Sequence, residues 1–166
     1  TFIMENMYWG LGKESVRAMK EVGIRGALAE DIRIDFMRPD EFVSGEFLDE
    51  YKKQCEEAGL IPVIGGISEE DYETKRLKRI RDIAGQKGMM ITCHLAENTW
   101  RREIVQQRYQ TSAIDYLYHN NLLDENVIGS HVVYATGEEI HQLAQSNAKV
   151  VNTPLCEMKI CDGIAP

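Results

Sequence analysis

KESVRAMKEVGIRGALA, at residues 13–29, places a helical pattern directly before a strand pattern. Its first apolar side chains recur at the spacing of one helical face: Val16, Met19 and Val22. Gly23 follows as a helix-ending residue, because glycine readily adopts the left-handed conformation found just past many helices. The apolar run at residues 24–29 then predicts a strand. This order of helix, glycine and strand is the unit from which the rest of the chain is built.

The same alternation continues along the chain. Further helices are predicted at residues 46–58, 69–86, 112–122 and 136–146, and further strands at residues 60–65, 89–93, 127–134 and 149–152. The opening segment TFIMENM also reads as part of a strand, and Thr136 with Glu139 predicts a capping box. Successive parallel strands need connections of about a dozen residues or more. The pattern therefore predicts a parallel α/β sheet with right-handed crossovers.

Two architectures fit a repeated strand and helix: an open doubly wound sheet and an eight-unit barrel. The segment Gly10-Leu11-Gly12 lacks the third glycine of a dinucleotide-binding turn, so no phosphate-binding fingerprint favours the open sheet. A complete barrel takes about 250 residues, whereas this chain has 166. The barrel interpretation therefore requires a partial barrel. The alternative is a self-contained, non-catalytic α/β binding module.

Composition excludes several classes of function. The formal net charge of −8 predicts an acidic surface that is poorly suited to binding a nucleic acid backbone. No apolar run approaches the roughly 20 residues of a membrane helix. The cysteines match neither paired zinc knuckles nor a secreted disulfide framework: Cys55, Cys93, Cys156 and Cys161. We therefore expect reduced thiols in a cytoplasmic protein that binds neither nucleic acid nor a membrane.

Two histidines lie at the ends of predicted strands. His94 closes the strand at residues 89–93, and Glu97 follows three residues later; His131 lies in the strand at residues 127–134. The carboxyl ends of strands face the active site in parallel barrels. Neutral imidazoles there are good zinc ligands, and a nearby carboxylate can transfer protons. The alternative is that both histidines are structural. The other two lie on predicted helices, where we expect exposure: His119 and His141.

Three segments resemble, in order and spacing, the deaminase and chlorohydrolase branch of the amidohydrolase superfamily: HLAEN at 94–98, GSHVV at 129–133 and VVNTPLCEMKICDGIAP at 150–166. That branch includes cytosine deaminases, S-adenosylhomocysteine and methylthioadenosine deaminases, and triazine hydrolases. The opening TFIMENMY and EVGIRGALAEDI at 21–32 resemble the family's second barrel strand and the following unit. The resemblance implies one incomplete domain over residues 1–166, roughly strands 2 to 7 of a (β/α)8 barrel, without the first and eighth strands.

The same resemblance implies a site for one divalent metal, zinc or iron. Family members hold it with a His-x-His pair on the first strand, histidines on the fifth and sixth strands and an aspartate on the eighth. The fifth- and sixth-strand histidines correspond to His94 and His131. The proton-relaying glutamate of the HxxE motif corresponds to Glu97. The implied reaction is deamination or dechlorination of a small heterocyclic substrate by metal-activated hydroxide. Because the chain contains no His-x-His pair, we expect it to be inactive in isolation.

Two segments depart from the family's pattern. Relatives that deaminate adenosine-like substrates usually carry His-x-x-Tyr-Thr before the helix leading to the HxxE strand, where this chain has GGISEE at 65–70. That departure disfavours a nucleoside substrate. Many relatives have Ser-Asn before Met-Lys, where this chain has Cys156 and Glu157. Glu157 is a candidate substrate-binding residue that would accept a hydrogen bond from a substrate amine, or it pairs with Lys159.

A partial barrel leaves strand edges and apolar side chains uncovered. Exposed edges favour pairing with another copy. We therefore expect a homo-oligomer.

Overall fold

The computed structural model describes residues 2–6, 11–31 and 45–166. The strands are β1 (Phe2–Asn6), β2 (Arg25–Asp31), β3 (Ile61–Ile67), β4 (Met90–Leu95), β5 (Val127–His131) and β6 (Lys149–Val151). The helices are α1 (Gly12–Val22), α2 (Phe47–Glu57), α3 (Thr74–Lys87), α4 (Thr99–Tyr109), α5 (Ala113–His119), α6 (Gly137–Ser146) and α7 (Pro154–Ile160), and a short 3₁₀ turn spans Glu69–Asp71. No helix among these ranges is long and apolar enough to span a bilayer.

The first helix and strand form as the opening pattern predicts. Val16 and Met19 are buried, and Gly23 ends α1 at φ 71°, with hydrogen bonds at the helix end to the carbonyls of Lys20 and Met19. Val22 is 67% exposed, so it does not belong to the buried stripe. Only two of the three predicted apolar positions therefore contribute to packing.

The chain packs as two compact units, of which the first comprises Thr1–Ile67 and Asp82–Thr92. Its strands lie in the order β1, β2, β3 and the start of β4, and the first three pair in parallel. Small and branched side chains form a tight core between them: Ala27, Ala29 and Val63, with Met4 and Met90 packed alongside. β2 and β3 are buried along most of their length, as expected for parallel strands that are covered on both faces.

The second unit comprises Ser68–Arg81 and Cys93–Pro166. The end of β4 lies beside β5, and β5 pairs in parallel with β6. Gly129 makes this approach possible, because a Cβ atom there would lie 2.7 Å from the Leu95 side chain. The predicted capping box is confirmed: the Thr136 hydroxyl accepts from the Glu139 N–H, and the Glu139 carboxylate accepts from the Thr136 N–H.

Three elements of this unit differ from the sequence-based prediction. The stretch before α5 contains the whole of α4, which was missed because only Val105 of that helix is buried and its apolar stripe is narrow. The helix predicted at residues 69–86 begins later, at Thr74 of α3, because Tyr72 has the extended angles φ −61° and ψ 123°. Its hydroxyl donates to the His94 carbonyl at 2.7 Å. Residues 154–160, where the sequence pattern predicted no helix, form α7.

Candidate metal centre

His94 and His131 lie at the ends of the neighbouring strands β4 and β5, and Glu97 lies in the loop after β4. His94 Nδ1 is 3.1 Å from His131 Nε2. The Glu97 carboxylate lies 3.4 Å from His94 Nδ1 and 3.7 Å from His131 Nε2. The two imidazoles therefore converge on one point, and the carboxylate borders it. The structure brings together the three residues that the strand-end pattern singled out.

Unusual backbone angles hold this arrangement. Ala96, His131 and Val132 have φ values of 48°, 80° and 55°, in the left-handed region that non-glycine residues rarely adopt. A β-branched residue such as Val132 is especially unfavourable there. Two backbone hydrogen bonds stabilise the turn, from Val132 N–H to the Leu95 carbonyl at 2.9 Å and from Tyr134 N–H to the Ala96 carbonyl at 3.0 Å. The left-handed angles of His131 and Val132 are incompatible with an extended strand, which explains why β5 ends at His131 and not at the predicted residue 134.

Glu69 supports the loop that carries Glu97. Its side chain is fully buried, and its carboxylate accepts hydrogen bonds from the Ala96 N–H at 2.9 Å and the Glu97 N–H at 3.4 Å. Burial raises the pKa of Glu69 to about 7, although the Ala96 hydrogen bond and the nearby Arg101 charge act in the opposite direction. Glu69 is thus a buried acid that titrates near neutrality beside the candidate site.

Glu69 makes stability depend on pH. Its folded-state pKa of about 7 lies above the ordinary value of 4.5, so its contribution is fully present below pH 4.5 and is lost as pH rises through 7. We expect the free energy of unfolding to fall across this range by up to about 3 kcal/mol on account of this group. Urea unfolding at several pH values measures the fall, which should be absent in Glu69→Gln.

The control for this experiment is Glu73→Gln, which removes an exposed carboxylate close by. That variant should keep the wild-type pH dependence. Equal pH dependence in Glu69→Gln and wild type would show that Glu69 does not titrate in this range.

Arg101 fixes the Glu97 side chain from the other side. Its guanidinium forms an ion pair with the Glu97 carboxylate, and its Nε atom lies 2.9 Å from Glu70 Oε2. The Asn98 side chain caps α4 by accepting from the Arg101 N–H at 2.9 Å. The sequence held a signal for the contact between Glu97 and Arg101, because Asn98 is a good N-cap residue and places Arg101 in the first turn after Glu97.

The far side of His131 faces the start of α7. His131 Nδ1 lies 2.8 Å from Thr153 Oγ1 and 3.2 Å from Glu157 Oε1. Burial and the neighbouring His94 lower the pKa of His131, which favours the neutral imidazole that binds metals. Burial acts to raise the pKa of Glu157, but hydrogen bonds from Thr153 and His131 outweigh it and hold that pKa below its ordinary value.

Glu157 is almost completely buried. Its carboxylate contacts His131 and Thr153, and among the described residues it forms no ion pair with Lys159.

Cys93, beside His94 in sequence, is also buried, and burial raises the pKa of its thiol to about 12. Such a thiol stays protonated, as expected for a packing residue and not for a metal ligand.

The geometry of the two imidazoles suits a zinc-sized ion. Nitrogens about 2.0–2.1 Å from a tetrahedral ion lie about 3.3 Å apart, close to the 3.1 Å between His94 Nδ1 and His131 Nε2. One ligand atom from each of His94, Glu97 and His131 lies within 4.8 Å of the others. The residues present therefore fit a divalent metal held by the two imidazoles, with the carboxylate next to it.

Comparison with known proteins adds an independent line of evidence. The amidohydrolase family model matches residues 14–166. A 5′-deoxyadenosine deaminase from Methanothrix thermoacetophila is 33% identical over 97% of this chain and 38% of its own length. A 5-methylthioadenosine/S-adenosylhomocysteine deaminase from Aquifex aeolicus is 26% identical over 100% of this chain and 39% of its own length. The chain thus spans about two fifths of the length of these relatives.

Solved structures show the same fold. A zinc-bound adenosine deaminase from Xanthomonas campestris superposes with a TM-score of 0.77 at 20% identity, covering 98% of this chain and 38% of that one. An atrazine chlorohydrolase mutant from Arthrobacter aurescens, complexed with zinc and atraton, gives 0.74 at 12% identity, covering 100% and 41%. The fold is therefore α/β, a partial (β/α)8 barrel, and the predicted fold class is confirmed.

Proposed function

Because the chain belongs to the amidohydrolase family, we propose that it supplies part of the active site of a metal-dependent hydrolase that deaminates or dechlorinates a small heterocyclic substrate. The observation that carries this proposal is the convergence of His94 and His131, with Glu97 within 3.7 Å of both. Paired imidazoles beside an ionisable carboxylate are the parts that metal-assisted hydrolysis needs.

In this proposal His94 and His131 hold one divalent metal, zinc or iron, and Glu97 is the catalytic proton carrier. When bound, such a metal supplies a water molecule that is readily deprotonated at neutral pH. Glu97 would take a proton from the attacking water and pass it to the leaving amine in deamination, or to a ring nitrogen of the substrate where chloride is the leaving group. Arg101 holds the carboxylate in place for both transfers, since its guanidinium is itself anchored on Glu70.

The relatives and Glu157 support the substrate class that we propose. The named relatives act on adenosine derivatives, so an amino-substituted heterocycle is the natural candidate, although GGISEE at 65–70 disfavours a nucleoside. Glu157 Oε2 is buried and has no hydrogen-bond partner among the described residues. A substrate N–H donor would satisfy this oxygen, which otherwise carries an uncompensated desolvation penalty. We therefore propose that Glu157 binds the substrate.

We also propose that residues 1–166 are one incomplete barrel domain that is inactive alone, because the sequence has no His-x-His pair to complete the metal site. Free thiols at all four cysteines agree with a cytoplasmic protein.

Self-association is also part of the proposal. Large apolar side chains of the second unit are exposed near the end of the chain: Leu155, Met158, Ile160 and Ile164. Exposed apolar surface of this kind favours a homo-oligomer. Sedimentation velocity of the dilute chain should show a dimer or larger species, and a stable monomer would contradict this expectation.

Product release tests the proposed function. Protein expressed from the complete reading frame is loaded with zinc and incubated with 5′-deoxyadenosine, guanine, cytosine or a chlorotriazine, and ammonia or chloride is measured. We expect release from at least one substrate and its loss after chelation, with no release by the 166-residue chain alone. Equal release before and after metal removal would overturn the proposed chemistry.

A further inference from the structure

We propose that Thr153 and Glu157 are positioning residues that set the tautomer and orientation of His131, so that its Nε2 lone pair points at the metal position. This inference rests on the proposed function for the identity of the site. It concerns residues on the side of the ring away from His94, and it can be tested without any catalytic assay.

The argument begins with the protons of three side chains. Thr153 Oγ1 donates to Glu157 Oε1 at 2.8 Å, and a threonine hydroxyl has only one proton to give. The same Oγ1 lies 2.8 Å from His131 Nδ1. With its proton directed to Glu157, Thr153 meets His131 as an acceptor, so the proton between them must belong to Nδ1.

The contact with Glu157 leads to the same assignment. Glu157 Oε1 lies 3.2 Å from His131 Nδ1, and an ionised carboxylate only accepts hydrogen bonds. Two acceptors therefore face one ring nitrogen, which must carry hydrogen. In a neutral imidazole the other nitrogen, Nε2, then bears the lone pair. That nitrogen is the one that lies 3.1 Å from His94 Nδ1.

The start of α7 is arranged around this contact. Thr153 occupies the N-cap position, where a threonine hydroxyl commonly accepts from a backbone N–H of the first turn. Here the hydroxyl makes no capping hydrogen bond and is directed to Glu157 and His131. Glu157 accepts from the Thr153 N–H at 3.3 Å as well. Helix capping alone would explain the bond from the Thr153 N–H to Glu157. It would not explain why the Thr153 hydroxyl contacts Glu157 and His131.

Carboxylates and other acceptors behind a metal-binding histidine fix its ring and increase its basicity, and their loss typically weakens metal binding by about 10- to 100-fold. Glu157 and Thr153 are two such acceptors, and both lie at the start of α7. Glu157 therefore places a charged acceptor behind His131.

Two pairs of variants test the inference in the 166-residue chain. Thr153→Val and Glu157→Leu remove an acceptor, whereas Thr153→Ser and Glu157→Gln keep one. Long-range ¹⁵N–¹H NMR of the metal-free chain, at mildly alkaline pH, reports which nitrogen of His131 carries hydrogen. Competition with a chromophoric chelator reports the zinc dissociation constant. Glu138→Gln, at an exposed position of α6, is the control for a lost charge.

In the wild type we expect hydrogen on Nδ1 of His131. Thr153→Val and Glu157→Leu should shift hydrogen toward Nε2 and weaken zinc binding by about 10- to 100-fold, while the conservative variants and Glu138→Gln stay close to wild type. Hydrogen on Nε2 in the wild type, or an unchanged tautomer in both removing variants, would overturn the inference. If the wild-type chain bound no zinc, the proposed metal site would be in doubt, but the NMR result would still decide the role of Thr153 and Glu157.

Discussion

Replacing Glu97 with glutamine is expected to lower the turnover of the zinc-loaded protein in the proposed reaction by about 10²- to 10⁴-fold, the usual contribution of a positioned acid or base. Glutamine has nearly the same shape as glutamate but cannot take a proton from water and pass it on. The substrate that gives product in the release assay is used at saturation, so that the measured quantity is kcat.

The matched control is Glu103→Gln, the same substitution at an exposed position of α4. It should leave kcat unchanged. Zinc affinity in Glu97→Gln should stay within about tenfold of wild type, since the two imidazoles remain in place. If Glu97→Gln turned over at the wild-type rate, another group would have to carry the proton.

Zinc binding by the 166-residue chain should be weak and should depend on His94. Sites that hold zinc tightly use three or four protein ligands, and this chain offers two converging imidazoles with Glu97 beside them. Removing one imidazole by His94→Ala leaves no paired nitrogen donors. We expect the dissociation constant to rise by about 100-fold or more, on the order expected when one of few ligands is lost. Chelator competition measures both constants.

His119→Ala and His141→Ala are the controls, because both histidines are exposed on helices. They should bind zinc as the wild type does. A His94→Ala variant with wild-type affinity would place the metal elsewhere. A tight stoichiometric complex in the wild type would show that Glu97 or a cysteine acts as an additional ligand.

Sequence periodicity was sufficient for most of the fold and for the expectation that His94, Glu97 and His131 lie close together. His94 and His131 were found because an imidazole at the end of an apolar strand stands out, and parallel pairing brings such ends together. α4 was missed because its pattern is mostly polar and a single side chain, Val105, is buried. A weak stripe on a short helix gives little periodic signal.

The supporting residues were harder to predict. Glu69 contacts the backbone of Ala96 and Glu97, which are 27 and 28 residues away in sequence. No local sequence pattern predicts a contact between residues so far apart. Glu157 was visible only as a departure from the family's pattern, and Thr153 was not predicted as a site residue, because the hydrogen bonds of both to His131 needed coordinates. Arg101 was within reach of sequence reasoning, because Asn98 is a good N-cap residue and places Arg101 one turn after Glu97.

The left-handed conformation of Val132 has a consequence for protein engineering. Backbone strain of this kind is worth on the order of 1–3 kcal/mol, so glycine at residue 132 is an obvious choice for anyone who wishes to raise the melting temperature. The same change would free the peptide unit next to His131 to rotate, and the orientation of the imidazole would be less well fixed. Thermostability and ligand geometry are thus in conflict at this residue, and stabilising mutations are better sought on the exposed faces of the helices.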